Sequence, residues 1–106
     1  MKTNNIIVEK SKAFAIRIIN SYKYLCEEKH EYILSKQLLR SGTSIGANVK
    51  EAIRGQSKDD FIHKLNISLK EASESEYWIE LLLKPTILQS NNSTVLLVIV
   101  GSLLSY

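Results

Sequence analysis

Apolar residues recur along most of this chain at the three-to-four-residue spacing of an amphipathic helix, and they mark four segments. The first, 5–28, gathers Ile7, Phe14, Ala15, Ile18, Tyr22 and Leu25 on one broad side, with Glu9, Lys10, Arg17 and Glu27 turned away. The second, 31–54, places Leu34, Leu38, Ser41, Ile45, Val49 and Ala52 on a narrow stripe. Beside it runs a polar row of Gln37, Arg40, Ser44, Asn48 and Glu51, and the other flank carries Gly42 and Gly46. Each glycine costs a helix interior about 1 kcal/mol relative to alanine, so the pair predicts close approach by a neighbouring backbone. A phosphate-cradling loop does not fit, because the GxxxxGK[ST] spacing and a preceding strand are missing. Gly55 is placed to stop this helix.

The third segment has the clearest ends. Ser57-Lys58-Asp59-Asp60 reads as a capping box with carboxylates suited to the helix dipole. Pro85 closes the segment, since proline disfavours helical geometry in the residue before it. Phe61, Leu65, Leu69, Ala72, Ile79 and Leu83 make its predicted core stripe. The fourth segment follows a polar turn at 89–94. Its Val-Leu-Leu-Val-Ile-Val run has strand propensity, but a lone strand would have no partner, so a helix is predicted. The apolar stretch 95–104 falls short of the roughly 20 residues that span a bilayer. Short links between segments force neighbours to run antiparallel. The predicted fold is therefore all-α: an antiparallel up-down-up-down four-helix bundle, one domain over 1–106.

Charge and composition narrow the function classes. The net charge of +3 over 106 residues permits nucleic-acid binding without requiring it. No charged side chain follows Lys84. The single Cys26 cannot form an internal disulfide, which fits a reducing, cytoplasmic setting. The N-terminus lacks the apolar core of a secretory signal. His30 and His63 stand far apart and no second cysteine exists, so no metal set and no cofactor is expected.

Three groups of residues carry candidate chemistry. Glu76 projects between Ala72 and Ile79, where a carboxylate is either paired or raised in pKa. It reads as a buried structural partner in preference to a general base, because no nucleophile accompanies it. Arg40, Ser44, Asn48 and Glu51 could hold an anion; a row of interhelical hydrogen bonds with Glu71 or Glu76 opposite is preferred for charges of mixed sign. Lys36, Lys50, Arg54 and Lys58 are the candidates for phosphate contact, weighed against an ordinary solvated surface. Ile67, Tyr77, Trp78, Leu81 and Leu82 leave more apolar surface around the third helix than one small bundle covers, which predicts self-association.

The same stretches resemble a known family. Leu38, Arg40, Ser41, Ser44, Ile45, Ala47, Asn48 and Glu51, followed by Ser57, Phe61, Leu65, Ala72, Glu76 and Leu82, are similar to the signature of the bacterial 23S rRNA intervening-sequence proteins. That family in turn resembles the accessory variability determinant proteins of diversity-generating retroelements. The resemblance implies a four-helix subunit in a barrel-like homopentamer, and a nucleic-acid-binding role like that of the retroelement relatives. Beyond Pro85 this chain departs from the pattern, since relatives carry charge through their last helix. The expected function is a non-enzymatic oligomeric scaffold that binds RNA or DNA through a repeated basic surface. The alternative is an adaptor that docks a protein partner on the apolar surface of helices 3 and 4.

Overall fold

The computed structural model describes residues 2–84, with side chains from residue 6 onward. Three helices fill this span: α1 (Lys2–Glu27), α2 (Leu34–Ile53) and α3 (Lys58–Leu82). There is no strand among the described residues. The predicted fourth helix lies outside them, as does Pro85.

α2 is the central element. α1 and α3 each pack against it, and no Cα of α1 comes within 8 Å of one on α3. Side-chain contacts fix the register. Ile18 and Ser11 of α1 lie against Gly42 and Gly46, so α1 descends as α2 rises. Ser75, Ser68 and Lys64 of α3 meet Ser41, the Ile45 carbonyl and Glu51 in the same reversed order. Both neighbouring pairs are antiparallel, as the short links require.

The two seams of α2 differ in chemistry. Towards α1 the seam is glycine. A Cβ added to Gly42 would sit 2.9 Å from Ile18 Cγ1, and one on Gly46 would sit 3.3 Å from Ser11 Oγ and 3.4 Å from the Ser11 carbonyl oxygen. The glycine cost inside α2 is thus tied to near contact with α1, as the sequence predicts. Towards α3 the seam is serine. Ser41 and Ser75, both fully buried, share a 2.8 Å hydrogen bond, and Ser68 Oγ donates to the Ile45 carbonyl at 2.9 Å. Hydroxyls are tolerated there because each is satisfied.

The expected stripes hold for α1 and α2. Phe14, Ile18 and Leu25 meet Leu38 and Ile45 in one cluster with Ala72, Ile79 and Leu82 of α3. On α3 the stripe is rotated. Its buried residues are Ser68, Ala72, Ser75, Ile79 and Leu82, while Leu69 is 63% exposed and Phe61, Leu65 and Leu83 are half-buried. Hydropathy drew the predicted line through the leucines. The serines win it because a small side chain lets α2 come close and its hydroxyl finds a partner inside.

The ends are capped by different means. Ser57 Oγ accepts the Asp60 N–H at 3.1 Å, the expected half of a capping box. α2 opens without a side-chain cap from its own N-cap residue, Ile33. Instead Glu31 accepts from the backbone N–H groups of Ile33, Leu34 and Ser35 at 3.3, 3.0 and 2.6 Å. The chain enters this turn through His30, whose φ of 54° is left-handed, a region His visits more readily than most residues. Gly55 follows the end of α2 but is not left-handed. Its absent side chain gives room to Asp60 and Phe61, which a Cβ would approach to 3.2 and 3.3 Å.

Candidate nucleic-acid interface

The polar row on α2 resolves into two kinds of contact. Arg40 crosses to α3, donating to Glu71 at 3.3 Å and to Glu74. Glu51 crosses to Lys64 at 2.9 Å. Ser44 and Asn48 do not cross: Ser44 Oγ donates to the Arg40 carbonyl and Asn48 Nδ2 to the Ser44 carbonyl, both within α2. Glu74 also accepts the Trp78 indole N–H at 3.0 Å, so Arg40, Glu71, Glu74 and Trp78 form one network on the α2–α3 surface. The network occupies the charges that an external anion would need at Arg40.

Glu76 is half-buried and makes no hydrogen bond or ion pair among the described residues. The rotation of α3 places it at the margin of the buried stripe, and Glu71 and Glu74 supply the carboxylates opposite Arg40. No group of three metal-ligating side chains is assembled among the described residues.

Lys36, Lys50, Arg54 and Lys58 are all exposed. None makes an ion pair among the described residues, whereas Arg40 and Lys64 each pair with acids on the facing helix. Lys50 and Arg54 converge with Lys64 around an open recess of about 750 Å³ between the end of α2 and the start of α3, which Ala47, Glu51, Gln56 and Asp60 also line. Lys58 is the first residue of α3 at this same end. Lys36 is not brought there. It stands fourteen residues before Lys50, which is about 21 Å of helix. The recess is of mixed sign, with Glu51 and Asp60 among its walls, so it suits a contact made by reaching cations better than a closed anion pocket.

The apolar candidates separate in the same way. Tyr77 is 53% exposed and meets Trp78 edge-on, with ring centroids 5.2 Å apart. Ile67, Trp78 and Leu81 are half-buried, and Trp78 packs against the core. Leu82 is fully buried inside the subunit, which removes it from any surface. It sits there because the rotation that brings Ser68 and Ser75 to α2 carries Leu82 inward with them.

One titration is perturbed by a neighbour. Tyr22 is raised above the usual tyrosine range, first by hydrogen bonding to Cys26, then by Coulombic repulsion from that sulfur, then by burial. Cys26 itself is a free, half-buried thiol near Ser35 Oγ (3.9 Å) and the Glu31 carbonyl (3.7 Å). No helix among the described residues is long and apolar enough to cross a membrane.

Four contributors escaped the sequence reading. A serine at Ser68 or Ser75 gives no inward signal in the hydropathy pattern, and Glu31 gives none that separates a backbone-capping carboxylate from a solvated one. Glu74 carries no signal apart from its one-turn spacing from Trp78.

No curated protein matches the chain. A solved structure does: a protein of unknown function from the S23 ribosomal protein family of Bacteroides thetaiotaomicron is 48% identical, with a TM-score of 0.84 over 92% of this chain and 90% of that one. The sequence pattern of the 23S rRNA-intervening sequence protein family matches residues 3–103. With nearly the whole chain matched, and a neighbour that shares both sequence and helical fold, this protein belongs to the 23S rRNA-intervening sequence protein family.

Proposed function

We propose that this chain is a non-catalytic, self-associating helical scaffold that binds a nucleic-acid backbone. The carrying observation is that Lys36, Lys50, Arg54 and Lys58 are exposed without carboxylate partners among the described residues, while Arg40 and Lys64 are neutralised across the α2–α3 seam. Unpaired cations on a rigid helix release counterions when they meet phosphates, which makes such binding strong at low salt and weak at high salt.

The subunit is completed by a fourth helix and closes with copies into a ring. Packing of α1 and α3 on α2 but not on each other supports this, because it is the relation of diagonal helices in a four-helix bundle. Exposed Tyr77 beside Trp78 supports a contact between copies. A ring repeats a mild basic patch and multiplies weak contacts into useful affinity. The same Tyr77–Trp78 edge favours the second reading, an adaptor whose protein partner docks there.

Gel shifts with a structured RNA and a duplex DNA at two salt concentrations test the binding. Affinity should fall steeply with salt; affinity independent of salt sinks the phosphate reading. Light scattering at micromolar concentration should give an oligomer, and a clean monomer rules out the ring.

A further inference from the structure

Charge is divided unevenly among the helices. α1 holds five lysines or arginines against two glutamates, and α2 three against one. α3 holds three lysines against six carboxylates. The net charge of +3 therefore hides a basic side made of α1 and α2 and an acidic α3. The register of the glycine seam shows how the basic side is laid out. Gly42 against Ile18 and Gly46 against Ser11 put Lys23 level with Lys36, and Lys12 within about a turn of Lys50. Helical periodicity, anchored on those contacts, turns all four lysines and Arg54 to the outer flank of the α1–α2 seam, away from the core. All five are exposed and none forms an ion pair among the described residues. Glu9 and Glu27 neighbour Lys12 and Lys23 on the surface of α1, three and four residues away, and Glu51, engaged with Lys64, lines the recess beside Lys50 and Arg54; none of these carboxylates pairs with the five cations among the described residues.

Resting on the nucleic-acid reading above, we infer that the phosphate-binding surface is this outer α1–α2 seam, with Lys12 and Lys23 of α1 as contacts in addition to Lys36, Lys50 and Arg54. Two lysine pairs straddle the seam, one near each end of α2, about 16–21 Å apart along the helices. A nucleic-acid backbone laid along the seam meets both pairs, while the acidic α3 repels phosphate and fixes which side faces it. The surface contacts backbone charge and no base edges, so binding along it is indifferent to sequence.

The test compares three full-length proteins in gel shifts over a salt series with a mixed-sequence duplex DNA and an RNA hairpin of the same length. They are the wild type, the double variant K12Q/K23Q, and the charge-matched K70Q/K84Q on the α3 side. Loss of two phosphate contacts should lower the slope of log affinity against log salt by about 1.8, or roughly 60-fold in affinity at 0.1 M salt. K12Q/K23Q should show that loss with an unchanged melting curve, and K70Q/K84Q should keep the wild-type slope. Equal losses in both variants, or none in K12Q/K23Q while the wild type binds, overturn the seam and leave the binding function standing. Absence of wild-type binding overturns both. If K12Q/K23Q instead breaks the oligomer in sedimentation without changing the slope, the seam receives the acidic α3 of a second copy and the phosphate surface lies elsewhere.

Discussion

Gly42→Ala puts the α1–α2 seam to a quantitative test. In an open helix this change stabilises by about 1 kcal/mol, because alanine has the better helix propensity. Here the new Cβ would lie 2.9 and 3.0 Å from Ile18 Cγ1 and Cγ2 and 3.3 Å from Ile18 Cβ. Carbon atoms normally rest about 3.5–4.0 Å apart, so α1 must retreat by roughly 0.5–1 Å. Ile18 cannot swing aside: it is fully buried, and a β-branched side chain in a helix has one strongly preferred χ1 rotamer. Overpacking of this kind costs about 1–3 kcal/mol. After the propensity gain, the variant should be destabilised by up to about 2 kcal/mol, lowering Tm by several degrees for a chain of this size. The assay is urea unfolding, with a lower midpoint and an unchanged m-value. Ile18→Ala supplies the decisive background, because it removes both Cγ atoms. There the second change should become stabilising as its methyl fills vacated space, and the sign reversal is the coupling between the two sites. A raised midpoint for Gly42→Ala alone, or the same loss in both backgrounds, refutes the close-packing argument.

Other expectations follow from the second seam and from the surface. Ser75→Ala should cost about 1 kcal/mol, since it leaves Ser41 with a long 3.4 Å contact to the Leu38 carbonyl, whereas Ser41→Ala should cost less because Ser75 keeps its 2.9 Å bond to the Glu71 carbonyl. The double variant should be less destabilised than the two singles together, and a denaturant-based cycle measures this. Arg40→Ala breaks the ion pairs to Glu71 and Glu74, but the arginine is half exposed, so its thermal melt should show a loss of about 0.5–1 kcal/mol and no more. Asn48→Ala, which loses only a bond inside α2, should leave the melt nearly unchanged. Tyr22 should titrate nearer the ordinary tyrosine value in Cys26→Ala, followed by NMR of its ring. Because the folded pKa of Tyr22 is raised, the folded state holds that proton more tightly. Its contribution to stability is complete below the ordinary tyrosine range and is lost as pH rises through the folded value. A Cys26→Ala protein that destabilises as steeply as wild type above that range contradicts the assignment.

The sequence by itself determined the three helices of the described residues, their approximate ends and their antiparallel order. The Ser57 cap, the stop before Gly55, the stripe from Leu38 to Ala52 and the meaning of Gly42 and Gly46 were all legible. Each rests on local periodicity or on backbone energetics that act within a few residues. The four cations Lys36, Lys50, Arg54 and Lys58 were legible as exposed for the same reason. Tertiary structure decided which line of α3 faces inward. It chose Ser68 and Ser75 over Leu69 because closeness to α2 and a hydroxyl partner outweigh the hydropathy of one leucine, and neither is visible until two helices meet. It also decided which charges stay available: Arg40 and Lys64 are spent on carboxylates from another helix, while Lys12 and Lys23 come alongside Lys36 and Lys50. Ion pairing and shared surfaces join residues far apart in the chain, and only packing sets those distances.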